Sequence, residues 1–359
     1  SGSSLTADAD YAIYPNTGAQ DFTTTWYRHY AADTQPLPPT TMLNGNLTGL
    51  TQIRSAKADY TTTLPHGIGL EAGAKMSYVT AEHDLKFYNQ VNEQPVADTG
   101  RTNHFLYREQ ISAAYLTLKK DFTSWSTQIG LRAEQTNIKG DASTLVRDSS
   151  FTRRYGQLFP SVAVQRHIDK RNDVGLTLSR RIERPNYEQL NPSTYYLDPT
   201  TYKTGDPYLQ PALSYSAELS WVHNQRFVTN LNYTNTQRPI TEVLQPAEND
   251  SRITVQTQKN LIRMEYYGIN GSYQIPIAKW WTNTTSANVW YAHYTGDVAG
   301  TNLSKGRMAW DVNCNNSFTL PANYTAELGG FYQAPQQYGY MFLRPTWMLN
   351  MGLQKTFLN

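Results

Sequence analysis

Several things are scarce in this chain of 359 residues, and each scarcity closes off a class of protein. Cysteine occurs once, at Cys314, which excludes an intrachain disulfide and a cysteine metal cage. It sits in Asn313-Cys314-Asn315, inside a strand-like segment, and reads as a small strand residue rather than a reactive thiol. Neither sign of charge dominates: Lys+Arg 31 stands against Asp+Glu 29, for a net charge of +2. With no basic run either, composition excludes nucleic acid as a partner. No apolar run is long enough for a membrane-spanning helix. No secretory signal peptide is visible at residue 1, and Ser1-Gly2-Ser3-Ser4 reads as a scar or as the start of a processed fragment. Hydrophobic residues are only 39%, and the mean hydropathy is -0.59, low for a large globular core.

Aromatic residues are not scarce, at Tyr 26, Trp 8 and Phe 11. They fall into segments with a period of two. Trp125, Thr127, Ile129, Leu131 and Ala133 lie on one face, and Ser126, Gln128, Gly130, Arg132 and Glu134 on the other. The same alternation runs through 5–13, 68–78, 213–221, 227–233 and 341–353. A strand that is apolar on one side and charged on the other borders two different solvents. A transmembrane antiparallel up-and-down β-barrel reconciles the polar average with the aromatics, because only half of each strand meets lipid. His104 to Leu118 mixes Glu109 into its apolar set, which points to a strand end or a bulge.

Short connections are expected near Pro15–Gly18, Pro65–Gly67, Asp121–Ser124, Asp169–Asp173, His223–Arg226, Pro276–Lys279 and Pro321–Asn323. Longer ones alternate with them, at about Ala32–Asn44, Asn89–Asn103, Lys139–Arg154, Glu183–Pro211, Gln237–Ser251, Thr295–Ser304 and Ala334–Gly339. Outer-membrane barrels have short periplasmic turns and long extracellular loops, so the list orients itself. It implies roughly fifteen strands. Bacterial single-chain barrels use even numbers, so residues 1–359 are read as part of a single outer-membrane β-barrel domain whose plug and terminal strands are absent. One aromatic belt is expected beside the short turns, at Phe122, Trp125, Trp221, Phe227, Trp280, Trp281 and Tyr324. A second is expected at the other strand ends, at Trp26, Tyr27, Tyr30, Tyr88, Phe105, Tyr107, Trp290, Tyr291, Tyr294 and Tyr340.

Lys57, Asp59, Glu71, Lys75, Arg132, Glu134, Arg181, Glu218, Glu327 and Arg344 are predicted to face inward, since charges facing lipid are costly. Most of them read as a salt-bridge network of the wall or its plug. The seven histidines make no metal pair at strand or helix spacing. His83-Asp84 lacks a nucleophile motif, and no phosphate-cradling loop or paired-carboxylate signature is present. No catalytic residue, metal or cofactor is expected, and the chain is not read as an enzyme.

The run Ser179-Arg180-Arg181-Ile182-Glu183-Arg184-Pro185-Asn186-Tyr187-Glu188-Gln189-Leu190-Asn191-Pro192 is distinctive, as is its continuation through Tyr195-Tyr196-Leu197-Asp198-Pro199 to Pro211. With Lys57–Tyr60, Leu70–Gly73, Asn103–Phe105, Gly130–Glu134 and Leu158–Ser161, these pieces resemble the outer-membrane β-barrel family of Bacteroidota, a branch of the TonB-dependent receptors. The resemblance spans most of the first two-thirds of the chain. It implies a larger parent with an N-terminal plug, import of a scarce nutrient (siderophore, peptide or glycan), and energy from the TonB system through the missing part. The partners it implies are that plug, outer-membrane lipids and lipopolysaccharide, and a surface lipoprotein. Arg132, Glu134, Arg181, Arg184, Tyr187, Tyr195 and Tyr196 are the candidate ligand-binding residues, in lumen or loop. The rival reading is a structural or assembly subunit of a cell-surface complex, without transport.

Overall fold

The computed structural model describes residues 2–27, 36–91, 94–145, 148–198, 200–248, 250–298 and 300–357. In chain order the elements are β1 (Ser4–Tyr27), β2 (Pro36–Leu64), β3 (Ile68–Val91), β4 (Gln94–Ala97), β5 (Asn103–Asp121), β6 (Trp125–Thr144), β7 (Asp148–His167) and β8 (Asn172–Glu183). A one-turn helix α1 (Tyr187–Leu190) follows, then β9 (Thr194–Asp198), β10 (Thr201–Thr204), β11 (Ala212–His223), β12 (Phe227–Gln237), β13 (Ile240–Pro246) and β14 (Thr254–Asn260). The chain continues with β15 (Arg263–Ala278), β16 (Trp281–Val298), β17 (Thr301–Leu320), β18 (Tyr324–Gln333), β19 (Gln336–Tyr338), β20 (Met341–Leu343) and β21 (Thr346–Lys355).

One 15-stranded sheet forms the wall. Fourteen strands follow one another in sequence order, and the short β4 hangs off β3. Each wall pair is antiparallel, so this is an up-and-down sheet, with β1 and β21 paired on one side only among the described residues. The alternation of the sequence is the alternation of its faces. Ile129 and Leu131 are 58% and 49% exposed on the outer face, while Gly130 is buried and Arg132 and Glu134 line the inner one. The short turns collect at one end. Three of them carry consecutive positive φ angles, at His66–Gly67, Asn224–Gln225 and Ala322–Asn323, the sign that tight turns matching strand twist require.

Several connections differ from expectation. Pro15–Gly18 lies within β1, each residue paired with β2, so the first short turn does not exist and the successive strands number fourteen. Lys139–Arg154 is mostly β6 and β7 running on as a hairpin, and Thr295–Ser304 is likewise β16 and β17. Of the Ala32–Asn44 loop, residues 32–35 lie outside the described residues, and the rest is already β2. Met341–Leu343 pairs with β19, and the last wall strand starts only at Thr346, after Pro345. Arg344 therefore lies between strands and not on the inner wall.

The second aromatic belt is also placed differently. Phe105 and Tyr107 are buried at 0% and 3%, on the inner face, under the loops. Tyr294 is buried with Leu261, Ala292 and Leu303, and Trp290 and Tyr340 pack on that cluster. Tyr291 is exposed as expected, and the outward ring is otherwise made by Tyr11, Tyr215, Tyr233, Tyr267 and Trp310. Tyr30 lies outside the described residues. The inner face of β5 is aromatic because something covers it, so Glu109 needs neither a bulge nor a strand end. The pairings of β5 run without a register shift, and the Tyr107 hydroxyl donates to Glu109 Oε2 at 2.9 Å.

The wall has one seam. β6 pairs with β7 as far as Asp148, and β8 pairs with β11 as far as Glu183. Between them, β7 meets β8 only over Ser161–His167. The ladder stops where Pro160, which has no N–H to donate, would be the next rung. Arg180 takes its place: its guanidinium donates to the Leu158 carbonyl and to Gln157 Oε1, and lies over the rings of Phe159 and Tyr215 at 5.8 and 5.5 Å.

Candidate functional site

What covers the inner face is the segment between β8 and β11. Asn186 caps α1, accepting from the Gln189 N–H while Gln189 Oε1 accepts from the Asn186 N–H, a reciprocal capping box. The turn aims Leu190 inward. Leu190 and Leu209, each 1% exposed, pack on Ala81, Phe105, Tyr107 and Ile138 of the wall. At about 25 cal/mol per Å², such burial contributes roughly 1.5–3 kcal/mol for each leucine. Arg153 on β7 donates to the carbonyls of Pro207 and Leu209 and fastens the far end.

This infolded lobe is one body with the next long connection. β9 and β10 join β13 and β14 in a four-stranded sheet in the order β13-β14-β10-β9. Lys259 reaches across to Asp206 at 3.1 Å. The loop after β4 joins them: Arg101 lies 4.4 Å over the Tyr196 ring, and Asn103 Nδ2 donates to the Thr194 carbonyl at 3.4 Å. Thus three of the long connections, Glu183–Pro211, Asn89–Asn103 and Gln237–Ser251, form one assembly at the outer mouth.

A chain of charge ties this assembly to the wall. Lys57 pairs with Asp59 at 2.6 Å. Asp59 accepts from the Tyr115 hydroxyl, which reaches it by lying across Gly73, the residue paired with both. A Cβ at Gly73 would come within 2.5 Å of the Tyr115 ring and 2.7 Å of Asp59 Oδ1, so only glycine leaves the path open. Arg132 stacks on Tyr115 at 5.3 Å and donates from Nε to Glu134 Oε1 at 2.6 Å. Glu134 Oε2 accepts from Arg184, which also donates to the Thr136 hydroxyl at 3.2 and 3.3 Å. Arg184 is the first residue past β8, so the network ends on the stem of the lobe.

The candidate residues therefore divide. Arg132, Glu134 and Arg184 come together. Tyr187 stacks on His83 at 5.1 Å, and Tyr196 sits edge-on to Phe87 at 6.2 Å. The Tyr195 hydroxyl accepts from Gln20 Nε2. Arg181 stands apart, exposed on the inner face of β8 opposite Ser214. Glu71, Lys75, Glu218 and Glu327 are likewise exposed on the inner face. Sequence reasoning did not bring Tyr115, Gly73, Thr136 or Arg101 to the site and weighed His83 only beside Asp84, for a nucleophile motif that is lacking; the glycine inside the strand pattern Leu70–Met76 was the one available signal of a close approach.

In the outer turns, burial would raise the Asp98 carboxyl. Donors from Asn89, Arg101 and the N–H of Gly100 outweigh it and hold the group below the usual carboxylate range. Asp250 is lowered to about 2 by its bonds from Arg252. Among the described residues no group of three or more His, Cys, Asp or Glu side chains is placed to hold a metal ion.

Comparison with known proteins agrees with this architecture. The description "Outer membrane protein beta-barrel family" matches residues 1–359. No curated protein matches the chain. Among solved structures, the ferripyoverdine receptor of the outer membrane of Pseudomonas aeruginosa is similar at 12% identity and a TM-score of 0.61, over 99% of this chain and 48% of that one. The ferric yersiniabactin uptake receptor of Yersinia pestis is similar at 11% identity and a TM-score of 0.55, over 96% of this chain and 51% of that one. At such identities the likeness is one of fold, and the chain spans about half the length of these receptors.

Proposed function

Because the chain belongs to the outer membrane protein β-barrel family, we propose that it forms the wall and outer mouth of a receptor that binds a scarce nutrient outside and imports it. It resides in the outer membrane of a Gram-negative bacterium. In this reading the parent protein is a TonB-dependent receptor of the kind found in Bacteroidota. A plug in its remaining part transmits energy from the TonB system, and no catalytic step is involved. The observation that carries the reading is the infolded lobe. Three outer connections meet over the inner face and are latched to it through Arg184 and Glu134. A wall that served only as a scaffold has no need of a latched mouth.

The test is uptake. A strain lacking the full-length protein should lose import of at least one siderophore, peptide or glycan from a labelled panel, and regain it on complementation. Unchanged uptake across the panel, together with a stably co-purifying surface partner, would replace import with the assembly role.

A further inference from the structure

A cavity of about 400 Å³ lies between the lobe and the inner face of β1, β2 and β3, lined by Asn16, His83, Tyr187, Tyr195, Gln256 and Gln258 among others. Its size is that of pockets which hold small-molecule ligands. We propose that it binds a neutral saccharide. The proposal rests on the import reading and names the substrate class for it.

The argument is chemical. Gln256 and Gln258 stand two apart on β14 and so project from one face of the lobe sheet. With Asn16 on the wall they bring three side-chain amides to the cavity, and among the described residues none of the three has a hydrogen-bond partner. Each amide offers both donors and an acceptor. His83 lies across Gly49, where a Cβ would sit 2.9 Å from its Nδ1, and its other face is stacked on Tyr187. So held, it leaves Nε2 buried with no hydrogen-bond partner. A sugar hydroxyl, which donates and accepts, satisfies the three amides in either orientation.

Charge argues the same way. The ionisable groups that share the lining with His83 are Lys203, Glu188 and Glu242, one cation against two anions. That balance opposes an anionic chelate and leaves a ligand recognised by its hydroxyl pattern. Tyr187 and Tyr195 supply apolar ring surface for the C–H faces of a sugar.

The experiment uses the full-length protein in detergent micelles, applied to an array of neutral oligosaccharides and to a matched array of tetrapeptides. At least one neutral oligosaccharide should be retained. The double variant Q256A/Q258A should weaken that retention tenfold or more while heat-dependent gel mobility, the sign of an intact barrel, stays unchanged. Retention of peptides alone, of nothing, or of glycans with equal strength by the double variant overturns the proposal. Uptake measured in parallel separates the two readings. Uptake without glycan binding removes the substrate class and leaves import. Glycan binding without uptake leaves the site and removes import.

Discussion

Glu134 holds two arginines at once, with one oxygen on Arg132 and the other on Arg184, and its side chain is only 10% exposed. Replacing it by glutamine keeps the shape and removes the charge. Glu134→Gln should release the lobe stem at a cost of about 1.5–3 kcal/mol, the range for hydrogen bonds to charged groups. Limited proteolysis of intact cells should then cut within 184–211 faster than in the parent; equal rates would mean the latch is unimportant. Asp250 gives a prediction in pH. Its folded pKa, about 2, lies below the ordinary aspartate value, so its contribution is fully present above about 3.9 and is lost as pH falls through the folded value. Amide exchange at residues 251–253 should stay slow from neutral pH to the ordinary value and rise below it. The alternation through Gly130–Glu134 encodes that both charges face inward. The second partner of Glu134, Arg184, lies fifty positions away, and no local pattern encodes that meeting.

At the scale of elements, wall strands were legible wherever lipid and water lie on opposite sides. Above the membrane both faces of a hairpin meet water, the alternation fades, and β6 and β7 therefore read as a loop at Lys139–Arg154. Pro15–Gly18 carries turn residues, yet all four pair with β2 in unbroken register, from Pro15 opposite Leu50 to Gly18 opposite Leu47. The lobe was invisible as a body, since its sheet joins β9 and β10 to β13 and β14 from distant parts of the chain. β3 offers the sharpest test of how strands support the network. Gly73→Val should drive Tyr115 off Asp59 and destabilise the wall by about 1–3 kcal/mol, the usual cost of overpacking. The urea midpoint of the refolded full-length protein should fall accordingly. Combining it with Tyr115→Ala should recover part of the loss, and strictly additive losses would contradict the crossing.

For the molecule as a whole, fold class and residence in the outer membrane followed from alternation and turn rhythm, whereas the ligand did not, because barrels share their walls and differ in their mouths. The short ladder between β7 and β8 has a mechanical meaning. Seven rungs join the two halves there, against nineteen between β6 and β7. A protein tugged from one end by a force probe should therefore tear in two stages, pausing once the strands on one side of Pro160 have come away. Arg180→Met should lower the load at which that pause ends, and hairpin-by-hairpin extraction without a pause would argue against it. Any pull along this wall works against a sheet already scored along one line, and the line lies beside the stem of the lobe.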